Sequence, residues 1–343
     1  MIYALALAKK GLGSVSPNPM VGCIIVKDDE IVAQGYHQKY GEAHAEVNAI
    51  NTLPSSIKPS ECTLYVTLEP CSHFGKTPPC SDLLINKGFK TVIICNVDTN
   101  PLVAGSGIEK LKKAGIEVIT GICEAEGRFL NRRFFTLQEK KRPYIVLKWA
   151  QTADGFISRW PLPKDKKDNW ITGEEAKKLS HQMRAEEDAI LVGKNTVLND
   201  DPKLTTRLVN GKNPMRIVVS KEADLDSLSH IFNSEAKTLV FNGNESKALG
   251  NVTWVKLDFD ENLTPQILHH LASIGISSLL VEGGTKTLNS FINAGLWDEM
   301  RIFVNPDLEF KAGIIAPQYV LNVDFQYVGK DKYYTIYSKS NAK

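Results

Sequence analysis

In the first half of the chain the residues best suited to chemistry are His44, Glu46, Cys71 and Cys80. One imidazole and two thiolates form a three-donor set for zinc, and three protein donors leave the fourth tetrahedral position open to water. A site of that kind is catalytic. The metal lowers the pKa of its water toward neutrality, and a carboxylate outside the coordination shell can carry protons to a leaving group. Glu46, two residues after His44, is suited to that task. In the second half the corresponding residues are a strand-ending carboxylate, Glu282, and the double glycine that follows it in "LLVEGGTKTLNSF". The backbone N–H groups of Gly284, Thr285, Lys286 and Thr287 can face a pyrophosphate at the start of the next helix. The same glycines also suit a tight turn.

Elements of both kinds must hold these side chains. "HAEVNAINTL" reads as a helix that starts at the imidazole, "TLYVTLE" as the strand before Cys71, and "CSDLLINKG" as a glycine-closed helix that starts at Cys80. Around them, "MVGCIIV" and "IVAQGYH" read as a hairpin turned by "KDDE". "KTVIICN", "GIEKLKKAG" and "IEVIT" continue as strand, helix and strand. After the helical stretch "EAEGRFLNRRFFTLQEKK", the segment "KKRPYIVLKWAQTADG" enters a new strand, so we expect domains at 1–140 and 141–343. The second half alternates again, with strands at "IVLKWA", "AILVG", "MRIVVS", "TLVFN", "LLVEGG", "EMRIFVNP" and "YYTIYS". Helices are expected at "GEEAKKLSHQMRAEE" and "TKTLNSFINAG". The Pro-, Lys- and Asp-rich "SRWPLPKDKKDN" reads as a long mobile loop. The fold class expected is α/β in both halves.

Composition narrows the function. A chain of 343 residues with a formal net charge of +2 has room for two domains, and its electrostatics point to neither nucleic acid nor an anionic membrane. No apolar run is long enough to span a bilayer, so the chain reads as soluble and cytoplasmic, acting on a small molecule. All six cysteines fall in the first 123 residues, a distribution unlike a secreted disulfide framework. Cys23 and Cys95, inside apolar runs, read as small buried hydrophobes.

His-Ala-Glu opening a helix, then a strand, then Pro-Cys, is the order found in zinc-dependent base deaminases, which usually close with Cys-x-x-Cys. Here eight residues, "SHFGKTPP", separate the two cysteines and bring His73, Lys76 and Thr77, donors that suit a phosphate. "SPNPMVGCIIV", "GYHQKYGEAHAEVNAI" and "YVTLEPCSHFGKTPPC" together resemble the bifunctional riboflavin-biosynthesis family, a pyrimidine deaminase fused to a pyrimidine reductase. The likeness continues through "VLKWAQTADG", "WITG", "RAEEDAILVGKNTVLNDDPKLTTR" and "VEGGTKTLNSF". It implies a cytidine-deaminase-like layered domain followed by a dihydrofolate-reductase-like domain. The implied reactions are hydrolytic loss of the 2-amino group from 2,5-diamino-6-ribosylamino-4(3H)-pyrimidinone 5′-phosphate, then NADPH-dependent reduction of the ribosyl unit to ribityl. It implies one zinc ion, NADPH, a phosphorylated pyrimidine substrate and a homo-oligomer, a dimer by expectation.

The resemblance also implies residue roles. Asn18 and His37 would meet the pyrimidine, although a turn asparagine and a structural surface histidine are the blander readings, and Asn100 would sit in a loop closing that pocket. Gln151, Trp170, Thr196 and Asp200 would lie along the cofactor; Asp168, Arg184, Leu204, Arg207 and Glu282 would lie on the substrate side. Asp168 stands where the family more commonly has a serine near the substrate phosphate, and a carboxylate there would repel it. Ser220 and Lys221, after the strand "MRIVV", offer a hydroxyl and an ammonium for the 2′-phosphate of NADPH. Two rivals remain: a single-activity zinc deaminase whose second half is a binding or dimerisation module, and a nucleic-acid base deaminase.

Overall fold

The computed structural model describes residues 1–73, 78–100 and 104–338. The chain divides into two compact units, Met1–Lys141 and Arg142–Lys343.

The first unit runs α1 (Ile2–Ala8), β1 (Gly22–Lys27), β2 (Glu30–Tyr36), α2 (Ala45–Asn51), β3 (Thr63–Leu68), α3 (Cys80–Lys87), β4 (Thr91–Asn96), α4 (Ser106–Lys113), β5 (Glu117–Thr120), α5 (Glu124–Leu130) and α6 (Arg132–Lys140). Its five strands lie in the order β2-β1-β3-β4-β5. The expected hairpin forms, with Asp28 and Asp29 both at positive φ in its two-residue turn. β3, β4 and β5 are parallel, which requires the crossover helices α3 and α4. The helices lie close on the strands: a Cβ on Gly35 of β2 would fall 2.3 Å from the Ala49 nitrogen of α2. That approach seats the start of α2 on the sheet. Cys23 and Cys95 are fully buried, as expected for thiols acting as hydrophobes.

The helical stretch read as continuous breaks at Asn131. Its side chain is taken by the backbone of Met20, whose N–H donates to Oδ1 at 2.8 Å and whose carbonyl accepts from Nδ2 at 2.9 Å. A tertiary bond thus interrupts a helix that local sequence would continue.

The second unit contains β6 (Tyr144–Thr152), β7 (Phe156–Arg159), α7 (Glu174–Glu186), β8 (Ala189–Gly193), α8 (Lys194–Asp200), β9 (Met215–Val219), β10 (Thr238–Asn242), β11 (Lys247–Leu249), β12 (Val252–Lys256), α9 (Leu263–Ser273), β13 (Ser278–Val281), α10 (Thr285–Asn293), β14 (Glu299–Asn305), β15 (Gly313–Ile315), β16 (Phe325–Val328) and β17 (Asp331–Tyr337). Ten strands form one sheet, β11-β12-β10-β9-β8-β13-β6-β14-β17-β16. The seven from β12 to β14 are parallel. Their apolar runs are explained by burial on both faces. Ile145, Leu147 and Trp149 of β6 enter one core, while Tyr144 and Val146 enter the other.

The stretch expected as a long mobile loop has its two ends joined. A short 3-10 helix, Lys166–Asn169, lies within it. Asn169 accepts the Arg159 N–H at 2.8 Å and donates to Ser158 Oγ at 3.0 Å. α8, α9 and β12 are elements the sequence pattern did not single out.

Candidate active sites

In the first unit, His44 is the N-cap of α2, Glu46 lies in its first turn, Cys80 opens α3, and Cys71 follows β3 by three residues. The His44 Nδ1 is 3.6 Å from Cys71 Sγ and 3.4 Å from Cys80 Sγ. The donor atoms of His44, Cys71 and Cys80 all lie within 4.8 Å of one another. The Cys80 N–H, at the start of α3, donates to Cys71 Sγ at 3.3 Å. Hydrogen bonding from Cys80 first, then the neighbouring His44, holds the Cys71 thiol well below its usual range despite its burial. A thiolate beside a second thiol and an imidazole fits zinc by donor type, spacing and charge.

Glu46 is 3% exposed. Burial first and the charge of Cys71 second push its carboxyl up to about 7. A carboxyl in that range can take and return a proton near neutrality.

The donor set opens on a pocket of about 370 Å³ lined by Asn18, His37, Glu46, His73, Asp98 and Asn100, among others. His37 is buried, not a surface residue. Its Nδ1 is 3.0 Å from the Ala43 carbonyl, which can only accept, so Nδ1 carries the proton. Its Nε2 then accepts from Asn18 Nδ2 at 3.1 Å. Burial lowers the His37 pKa, in keeping with this neutral tautomer. Asn18 is thereby oriented on the pocket wall. Lys76 and Thr77 lie outside the described residues.

A second cavity, of about 1420 Å³, lies wholly within the second unit. Trp170, Thr196, Asp200, Ser220, Lys221, Arg184, Arg207 and Glu282 line it, as do Gly284, Thr285, Lys286 and Thr287 at the start of α10. The double glycine has two separate causes. A Cβ on Gly283 would fall 2.6 Å from the Val192 Cα, and Gly284 has a φ of +46°. The cavity's size and the N–H groups at the α10 start fit a dinucleotide together with a second ligand.

Arg184 and Glu282 form a two-pronged pair, Nε to Oε1 at 3.0 Å and Nη2 to Oε2 at 2.6 Å. Burial would raise the Glu282 carboxyl, but Arg184 and Lys148 outweigh it and hold it at about 2. Lys148, from β6, lines the same cavity, and burial pulls its ammonium below the usual range. It was missed in the sequence, where the signal was one charged residue inside the apolar run "YIVLKWA".

Three expected residues stand off the cavity wall. Gln151 accepts from Trp149 Nε1 at 2.8 Å. Asp168 is exposed, with its carbonyl accepting from Arg159 Nε, so its carboxylate is not on the wall where it would repel a phosphate. Leu204 is 2% exposed and belongs to a hydrophobic core. Ser220 and Lys221 do line the cavity, but they contact acids: Ser220 Oγ donates to Asp224 at 3.4 Å, and Lys221 Nζ is 3.5 Å from Asp260.

Together the two units define a bifunctional enzyme, a zinc-dependent deaminase of the cytidine-deaminase type joined to a reductase. Residues 1–96 match the cytidine and deoxycytidylate deaminase zinc-binding region, and residues 143–308 match the RibD C-terminal domain. The chain belongs to the RibD family of riboflavin-biosynthesis proteins. It is 44% identical to the riboflavin biosynthesis protein RibD of Aquifex aeolicus, covering 90% of this chain and 86% of that protein. It is 36% identical to the Escherichia coli RibD, covering 90% and 87% respectively. Among solved structures, a Thermotoga maritima diaminohydroxyphosphoribosylaminopyrimidine deaminase/5-amino-6-(5-phosphoribosylamino)uracil reductase superposes with a TM-score of 0.88 at 37% identity, covering 98% and 97% of the two chains. Acinetobacter baumannii RibD gives 0.85 at 30% identity, with coverage of 98% and 97%. No helix among the described residues is long and apolar enough to cross a membrane.

Proposed function

We propose that the first unit deaminates 2,5-diamino-6-ribosylamino-4(3H)-pyrimidinone 5′-phosphate and the second reduces the product's ribosyl unit to ribityl. Each step is confined to its own unit. The observation that carries this is the convergence of His44, Cys71 and Cys80 beside buried Glu46 in one unit, with a separate cavity around Arg184 and Glu282 in the other.

His44, Cys71 and Cys80 are the residues that would hold zinc, which supplies a water of lowered pKa when bound. Glu46 takes one proton from the attacking water and gives it to the ring nitrogen, then carries the proton of the newly formed hydroxyl to the amine, which departs as ammonia as the C–N bond breaks and the carbonyl forms. Asn18, oriented by neutral His37, reads the pyrimidine edge, with His73 and Asn100 on the same pocket wall.

NADPH supplies the hydride for the second step. Gly284, Thr285, Lys286 and Thr287, at the start of α10, are the residues that would hold its pyrophosphate, and Thr196 and Asp200 of the same cavity would lie beside its nicotinamide. Arg184 and Glu282 act on the sugar as a joined pair, and Arg207 meets the phosphate with planar donors. The rival in which the second half is non-catalytic is disfavoured by the intact charged pair inside a cavity. A homodimer, expected from the family resemblance, is checked by sedimentation velocity.

Incubating the protein with the diaminopyrimidine ribotide should yield the deaminated ribosyl product without NADPH and the ribityl product with it. Deamination alone under both conditions would return the second unit to a binding role.

A further inference from the structure

Glu69 is 4% exposed, ends the run that β3 begins, and stands two residues before Cys71. None of the chemistry above uses it. Its two carboxylate oxygens accept four backbone N–H groups. Oε2 takes those of Asp98 at 3.2 Å and Gly105 at 3.0 Å, and Oε1 takes those of Gly107 at 2.9 Å and Ile108 at 3.2 Å. Three of the four belong to the N-cap and first turn of α4, whose unpaired donors and dipole favour a negative charge. The fourth starts the segment that carries Asp98 and Asn100 into the deaminase pocket.

We propose that Glu69 is a positioning residue of the deaminase site, setting the pocket wall at Asp98 and Asn100 relative to the zinc donors. The proposal rests on the deaminase reading above. The bonds close a circuit. Glu69 holds the Asp98 and Gly105 N–H groups on one oxygen. Asp98 Oδ1 accepts the Asn100 N–H at 2.8 Å, and the Asn100 carbonyl accepts the Ala104 N–H at 2.9 Å. Beside it, Ser72 Oγ and Ser106 Oγ lie 2.6 Å apart, tying the segment after Cys71 to the same helix start. One carboxylate therefore fastens substrate-facing residues to the strand end that delivers a metal donor.

Only a carboxylate presents four acceptor positions on one short side chain. An amide of the same shape turns an NH2 group toward two N–H donors, leaving them unpaired in a buried place. Close packing supports the arrangement: a Cβ on Gly107 would fall 2.0 Å from the Pro70 carbonyl oxygen. G107A would thus push the α4 start away from Pro70 while keeping the Glu69 carboxylate, whose Oε1 would lie 3.2 Å from the new Cβ.

The test measures deamination kinetics and zinc content for the wild type, E69Q and G107A, with reductase activity as a control in each preparation. We expect both variants to raise the KM for the diaminopyrimidine ribotide roughly tenfold or more. Zinc content and kcat should stay near wild-type values. An unchanged KM would overturn the proposal, even if melting temperature falls, because Glu69 would then be structural only. Loss of zinc in step with activity would also overturn it, by placing the effect on Cys71 instead of the substrate wall. If E69Q does not fold, G107A decides by the same outcomes. A wild-type chain that deaminates nothing would instead sink the deaminase reading itself.

Discussion

Arg184 and Glu282 come from elements 98 residues apart in sequence and meet as a bidentate ion pair inside the reductase cavity, with side chains only 14% and 8% exposed. Both oxygens of Glu282 are engaged, so its carboxylate acts through a fixed orientation and not as a freely turning group. Glu282→Gln would leave a buried guanidinium facing a neutral amide. We expect a stability loss of about 3 kcal/mol and a roughly tenfold to hundredfold fall in reductase kcat/KM. NADPH oxidation with pre-deaminated substrate, together with thermal melting, checks both. Wild-type kinetics would remove Glu282 from the site.

His181 gives the same unit a pH dependence. Its Nδ1 accepts the Arg207 N–H at 3.0 Å. Burial first, then the charges of Arg184 and Arg207, brings its pKa down to about 4 from 6.5. The unfolded chain therefore binds the proton more readily, and the stability present above pH 6.5 is lost as pH falls toward 4. His181→Asn keeps an acceptor and removes the titration. Chemical unfolding at about pH 7 and about pH 4.5 should show a steeper acid loss for the wild type than for the variant; equal losses would clear His181 of the effect.

Glu46→Gln should keep zinc and lose deamination, since the carboxylate moves protons without holding the metal. Metal analysis beside Cys71→Ser decides this. A zinc content as low as that of the cysteine variant would make Glu46 a ligand.

Removing zinc with a strong chelator, under conditions that preserve the fold, should abolish deamination and spare NADPH oxidation by pre-deaminated substrate. His44, Cys71 and Cys80 all belong to Met1–Lys141, and no cysteine follows Cys123. Loss of both activities in a folded, zinc-free chain would end the assignment of one step to each unit.

The proposed zinc donors were legible in the sequence because their chemistry is carried by residue type, and because each sits at the edge of an element with a strong local pattern: His44 and Cys80 at helix starts, Cys71 just past a strand. The parallel strands were legible for a similar reason, as apolar runs such as "AILVG" and "TLVFN" fit burial on both faces. Lys148 was less so, since one lysine in an apolar strand reveals its burial only when both faces are covered.

The sequence by itself determined the donor types, the alternation of strands and helices, and the division of chemistry between two halves, because composition and short-range periodicity are properties of neighbouring residues. Tertiary structure alone decided the break at Asn131, made by Met20 at a separation of 111 residues. It also decided the pairing of Arg184 with Glu282, the burial of Leu204 away from the cavity, and the gathering of four N–H groups on Glu69. Each of these depends on which distant groups share a low-dielectric space, where a polar atom must find its partner wherever the chain brings one.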